Sequence, residues 1–343
     1  MNYLKQNDKV AIVAPSRKVS LTEIAEAIDE IKSWGLVPVF AQNLFAEKDQ
    51  FAGDDKIRAK DFQWAMDNEE IKAIFCARGG YGAVRIVDKL DFSKFIYYPK
   101  FVIGFSDATV LHCKLQSMGI ESIHAPLLTT LPQTKTEHID ELKNILMGNG
   151  SDILFTTEDD NIISKKNRNG SAHGVLVGGN LSLLYNIIGT NSDINTDGKI
   201  LFIEDLDEYL YHIDRMMVAL KRAGKFENLR GLIVGSFTDM HDNEVPFGKN
   251  AYEIIIDHVD EYSFPIIFDF PAGHGKDNLP LILGKTVEMN VSSKKIEVRY
   301  INDIEAFEEQ KVHNSIFKII LYFLIFFGFI WLIYFIISKF FVN

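Results

Sequence analysis

The run Ile103 to Ala108 (IGFSDA) takes an apolar strand through a tight Gly-x-Ser turn into a helix that starts near Ala108. Such a turn is a nucleophile elbow: it lifts the hydroxyl of Ser106 out of the sheet, and small neighbours let the backbone pass close to a substrate. Ala108 stands where many elbows carry glycine. A helix N-terminus beneath the serine also supplies free N–H groups and a partial positive charge where an oxyanion would form. Taken alone, Ser followed by Asp and Ala is more often a helix cap than a nucleophile.

A serine nucleophile needs a base, and the base needs a carboxylate to orient it. Of nine histidines, His274 lies in Pro271 to Gly275 (PAGHG), a loop after an apolar strand whose glycines leave the imidazole accessible. His112 and His124 are nearer to Ser106 in the chain, but His112 falls on the helix after the elbow, directed away from it. Glu204 ends the strand Ile200 to Ile203 and opens the acidic run Glu204 to Glu208 (EDLDE), which can face a cleft. A second turn, Ala77 to Gly82 (ARGGYG), again joins a strand to a helix. Its three glycines permit positive φ and close approach, so it reads as an anion cradle or as a donor loop aimed at the oxyanion made by Ser106. As a dinucleotide fingerprint it is a poor match, because Arg85 stands where the third glycine belongs and the turn does not follow the first strand.

These residues need a scaffold. Val10 to Ala14 is a continuous apolar run, as in a strand covered on both faces, and Leu21 to Trp34 carries Ile24, Ala27, Ile28 and Ile31 at helical spacing before Gly35. Val37 to Phe40 completes a β-α-β unit. The alternation continues with a helix at Ile57 to Asn68, a strand at Ala73 to Cys76, a helix at Ala83 to Leu90 and a strand at Phe101 to Phe105. An open, mostly parallel α/β sheet domain over residues 1–150 follows. Residues 151–172 read as a polar linker or loop. Residues 173–305 read as a β-rich, barrel-like domain, with strands at Gly174 to Val177, Ile200 to Ile203, Gly231 to Val234, Ile266 to Phe268 and Lys295 to Tyr300, interrupted by one helix at Ile213 to Ala223.

With 47% hydrophobic and 24% charged residues, the 343-residue chain can bury real cores, and its length suits two domains. A net charge of -11, with no basic cluster, argues against a nucleic-acid partner. Cys76 and Cys113 match neither a zinc site nor a disulfide framework and read as buried apolar residues. The N-terminus has no signal-peptide pattern. Ile319 to Ile337 runs 19 residues without a charge, bracketed by Lys318 and Lys339, and predicts a transmembrane helix over residues 316–338. Lys311 and Lys318 before it put the catalytic domains on the cytosolic side of the inner membrane, held by a single-pass C-terminal anchor.

The blocks Val10 to Ser16, Ala77 to Gly82, Ile103 to Asp107, Phe202 to Asp205 with Ile213 to Arg215, and Gly273 to Gly275 together resemble the LD-carboxypeptidase family of serine peptidases, which includes the microcin C immunity peptidases. They occur in the family's order and cover most of the chain up to about residue 300. The resemblance implies a Ser-His-Glu triad shared between an N-terminal α/β domain and a C-terminal β-rich one. Ser106 is then the nucleophile, His274 the general base and acid, and Glu204 the carboxylate that fixes the imidazole. The backbone N–H groups of Gly80 and Asp107 form the oxyanion hole, and no metal or organic cofactor is implied. The implied substrate is a small peptide, a murein tetrapeptide that loses its terminal D-alanine in cell-wall recycling, and a homodimer agrees with the family. The terminal apolar run departs from the family's usual members.

Three other readings stand beside this one. An immunity-type peptidase cleaving a toxic peptidyl-nucleotide would stack the base on a loop aromatic, and residues 156–172 hold none. A membrane-anchored muropeptide sensor without turnover has no need of Ser106, Glu204 and His274 together. A nucleotide-binding oxidoreductase needs glycines after the first strand, where Pro15 and Ser16 stand.

Overall fold

The computed structural model describes residues 2–159, 166–275 and 277–301. The chain begins β1 (Lys9–Val13), α1 (Leu21–Ser33), β2 (Val37–Phe40), α2 (Asp55–Asp67), β3 (Ile71–Cys76), β4 (Phe101–Gly104), α3 (Thr109–Ser117), β5 (Ser122–His124) and α4 (Thr136–Met147). The first strands are apolar on both faces because helices cover both sides of the sheet: Val10, Ala11 and Ile12 are fully buried. α1 seals its face with Ile24, Ala27, Ile28 and Ile31, starts where Glu23 accepts the Ser20 N–H at 2.8 Å, and stops at Gly35, whose φ of 80° suits glycine. β2, β1, β3, β4 and β5 lie side by side in parallel.

There follow β6 (Ile153–Thr157), β7 (Gly170–Asn180), α5 (Leu181–Asn186), β8 (Ile200–Leu206), α6 (Leu210–Arg222), β9 (Gly231–Thr238), α7 (Ala251–Val259), β10 (Ile266–Ile267), β11 (Leu281–Leu283), β12 (Thr286–Val291) and β13 (Ile296–Tyr300). β11 crosses back to pair antiparallel with β5 at the edge of the first sheet. The second sheet has the order β10-β9-β8-β7-β12-β13-β6, parallel from β10 to β7 and antiparallel beyond. Met1–Tyr300 cluster as one compact unit.

Several expectations are corrected. The second sheet is a linear order rather than a barrel, and three helices, not one, interrupt it. Parallel neighbours cannot be joined by hairpins, so α5, α6 and α7 serve as crossovers between β7, β8, β9 and β10. β6 occupies part of the stretch read as linker, because its residues find a partner in β13. The helix expected from Ala83 to Leu90 is a pair of 3-10 turns, Ala83–Arg85 and Val87–Lys89. The transmembrane part of the fold class is also withdrawn. Residues 316–338 lie outside the described residues, and among the described residues no helix is long and apolar enough to cross a membrane. The expectation rested on hydrophobic length alone, so the inner-membrane localisation, the cytosol-facing anchor and the membrane as partner are withdrawn with it.

Candidate active site

Ser106 sits where β4 ends, in a 3-10 turn that leads into α3, and its φ is 61°. That left-handed conformation is costly for a side chain with a Cβ, and it is the strained geometry that turns a hydroxyl outward. The turn is tight: a Cβ on Gly104 would come within 3.0 Å of the Cys76 Cβ and 3.2 Å of the Ala108 Cβ. His112, on α3, bonds through Nε2 to the Gly104 carbonyl at 2.8 Å, and burial pushes its pKa down to about 4. It braces the elbow as a neutral donor. His124 is buried beside the rings of Phe105 and Phe202. Neither histidine is available as a base. Both cysteines are buried, with Cys76 pushed up to about 12 by burial and the nearby Asp107 charge.

The glycine turn lies against the elbow. A Cβ on Gly79 would stand 3.3 Å from the Ser106 Oγ, and Gly80 has a φ of 100°. The Gly80 N–H has no protein acceptor among the described residues. The carboxylate of Asp107 faces inward, accepting the Ser16 hydroxyl at 2.5 Å and the Ala83 N–H at 2.7 Å. It thereby ties the elbow to the ends of β1 and of the glycine turn. Burial raises its pKa, although those two hydrogen bonds oppose the rise.

The other two candidates come from the second sheet. β8 pairs irregularly with β9 between Ile203 and Asp205, so strict alternation fails there, and Glu204 and Asp205 are both buried, at 0% and 1% exposure. A bulge of this kind re-aims a side chain. Glu204 Oε2 meets His274 Nδ1 at 2.6 Å. Because a carboxylate only accepts, the proton of that bond belongs to Nδ1, which leaves Nε2 as the basic nitrogen. Burial alone would lower the His274 pKa, but the charge and hydrogen bond of Glu204, with the Asp205 charge, raise it overall. The ring also packs 4.6 Å from the Phe105 ring, the residue before Ser106. Among the described residues no hydrogen bond joins Ser106 to His274; the two line one cavity of about 860 Å³ together with Gly80.

Asp205, which the sequence alone did not single out, accepts from Asn180 Nδ2, the Ser182 N–H and the Leu206 N–H, each at 2.9 Å. Burial and the adjacent Glu204 charge still raise its pKa to about 7. The loop carrying His274 is held by Ser236, whose Oγ accepts the Gly275 N–H at 2.9 Å. Gly273 allows this approach: its φ is 112°, and a Cβ there would fall 2.7 Å from the Ser236 Oγ and 2.8 Å from the Glu204 Oε2. Gly273→Ala is therefore expected to cost about 2 kcal/mol or more. It should lower Tm by about 5 °C and reduce kcat; an unchanged melting curve with full activity would contradict this packing. Among the described residues no group of three or more His, Cys, Asp or Glu could hold a metal ion.

An α/β fold that carries a serine on a strained strand-to-helix turn, with an imidazole lining the same cavity and a buried carboxylate behind that imidazole, has the architecture of a serine peptidase. Residues 10–125 match the LD-carboxypeptidase N-terminal domain, and residues 173–289 match the LD-carboxypeptidase C-terminal domain. The chain belongs to the LD-carboxypeptidase family of serine peptidases and is an enzyme of that class. It is 27% identical over 283 residues to the murein tetrapeptide carboxypeptidase of Pseudomonas aeruginosa, covering 81% of this chain and 92% of that protein. The structure of a muramoyltetrapeptide carboxypeptidase from Oxalobacter formigenes superposes with a TM-score of 0.76 at 26% identity, over 86% of this chain and 99% of that one. MccF in complex with glutamyl sulfamoyl guanosine also superposes with a TM-score of 0.76, over 87% of this chain and 97% of that one, but at 22% identity the likeness speaks to the fold alone.

Proposed function

We propose that the protein hydrolyses the L,D-peptide bond before the terminal D-alanine of a murein tetrapeptide, in cell-wall recycling, through Ser106, His274 and Glu204. The observation that carries this reading is the 2.6 Å contact between the buried Glu204 and Nδ1 of His274, whose ring lines the same cavity as Ser106. With Nδ1–H held by Glu204, Nε2 takes the proton of the Ser106 hydroxyl as Oγ attacks the carbonyl carbon. The tetrahedral oxyanion accepts from the backbone N–H groups of Gly80 and Asp107, at the glycine turn and the first turn beyond the elbow. His274 then gives its proton to the departing amine of D-alanine, leaving an acyl ester on Ser106. Water attacks that ester, His274 takes the water proton, and the tripeptide leaves as its carboxylate while Ser106 recovers its hydrogen.

The test is to incubate the full chain with a diaminopimelate-containing tetrapeptide and follow free D-alanine and tripeptide by mass. Equimolar release of the two is expected. A chain that binds the tetrapeptide without releasing either product is a sensor, and one that cleaves only peptidyl-nucleotides is of the immunity type; either outcome overturns the reading.

A further inference from the structure

A carboxypeptidase must recognise the end of its substrate. The free carboxylate lies one residue beyond the scissile bond, within about 4 Å of the carbonyl carbon under attack. A cation that reads it must therefore sit next to the oxyanion donors. β1, β3 and β4 are adjacent and parallel, so their C-terminal ends open at one edge, with spacings of about 4.8 Å. Ser106 follows β4, Gly79 and Gly80 follow β3, and Arg17 follows β1.

Arg17 is tied to this row. Its backbone N–H donates to the Gly79 carbonyl at 3.4 Å, and its side chain lies across Gly80, where a Cβ would fall 2.5 Å from the Arg17 Cδ and 2.7 Å from Nε. Arg17, Gly80, Ser106 and His274 line the same cavity. The neighbouring cation, Arg78, is engaged by Glu23 at 2.6 Å. Arg17 has no ion pair and no side-chain hydrogen bond among the described residues. Glu26 on α1 and Asp207 and Glu208 beyond β8 also line the cavity, so what singles out Arg17 is its position beside Gly80 and not the net charge of the walls.

We propose that Arg17 is the residue that binds the terminal carboxylate of the substrate and makes the enzyme an exopeptidase. The inference rests on the carboxypeptidase reading above. A guanidinium presents two parallel N–H donors to a carboxylate, and the exposed position of Arg17 leaves it free to take the anion. The D-alanine product leaves with that carboxylate, so the contact also orients the leaving amine towards His274.

Two tetrapeptides test this, one ending in free D-alanine and one in D-alaninamide, which lacks the charge but keeps the scissile bond. The wild-type chain is expected to prefer the free acid by about 10²-fold in kcat/KM. Arg17→Ala should lower kcat/KM on the acid by a similar factor, leave the amide unchanged and bring the ratio close to one. Arg17→Lys, which keeps a charge but loses the fork, should retain part of the preference. A wild-type ratio preserved in Arg17→Ala overturns the assignment, as does equal cleavage of both peptides by the wild type, which leaves the carboxypeptidase reading standing. If the wild type cleaves neither peptide, that reading fails and the assignment of Arg17 fails with it.

Discussion

Ser106→Ala is expected to lower kcat by about 10⁵-fold, to the residual level that binding and an oxyanion hole supply without a nucleophile. The reason lies in the turn. Ser106 holds a φ of 61°, and the Gly79 backbone passes so close that a Cβ there would be 3.3 Å from its Oγ. Strain of this kind survives only where the surroundings enforce it. Here β4, the Asp107 carboxylate bound to Ser16 and Ala83, and the His112 bond to Gly104 enforce it together. Alanine tolerates the left-handed region no better than serine, so Ser106→Ala should melt near the wild-type temperature. Ser106→Gly should melt higher, because glycine relieves about 1 kcal/mol of backbone strain. D-Alanine release at the wild-type rate by Ser106→Ala would end the serine mechanism; a lower Tm for Ser106→Gly would end the claim of strain.

Glu204→Gln carries the second large effect. The amide keeps the shape of the side chain but removes the charge that favours protonated imidazole, and it can offer an N–H where Nδ1–H needs an acceptor. A fall in kcat of about 10²–10⁴-fold is expected. The pH profile supplies the sign. In the proposed mechanism activity requires neutral His274, and the Glu204 charge raises the His274 pKa against the lowering by burial. Activity should therefore rise through that elevated pKa. In Glu204→Gln burial still disfavours the protonated ring and the main opposing charge is gone, so the acid limb of kcat/KM should move to lower pH. A limb that stays in place, or moves to higher pH, would show that Glu204 does not set the state of His274. Asp205, still charged in part with a pKa raised to about 7, is the reason the shift should be smaller than complete loss of the pair would give.

Much of the candidate site is legible in the chain. The switch from an apolar strand to Gly-Phe-Ser-Asp marked the elbow, because strand period, glycine and helix start are local properties. The glycines around Ser106 and His274 were visible for the same reason, since close backbone approach leaves a mark on residue type. The order of the five motif blocks identified the family. What spacing could not supply was contact between residues far apart in sequence. The pairing of Glu204 with His274 spans 70 positions and depends on an irregular register between β8 and β9. Ser16 with Asp107 spans 91, and nothing around Ser16 announces a partner for a buried carboxylate.

The second half of the chain is the less legible one. Its apolar runs mark its strands, but whether neighbouring runs pair in parallel or antiparallel depends on the crossovers between them; α5 is too short to show a period, and Ile254, Ile255 and Val259 are the stripe that marks α7. The apolar run near the C-terminus shows the opposite failure: hydrophobic length was legible, but length by itself does not establish a span. By itself, then, the sequence determined which residue types could do chemistry and where the apolar strands of the first sheet and their amphipathic helices α1 and α2 run, because those follow from local geometry and periodicity. Only the tertiary structure decided which of them meet. It brings the serine of one sheet and the imidazole of the other to a common cavity, with Glu204 buried behind that imidazole, and it lays Arg17 across the glycine turn, because strand order and register, not distance along the chain, set what lies next to what.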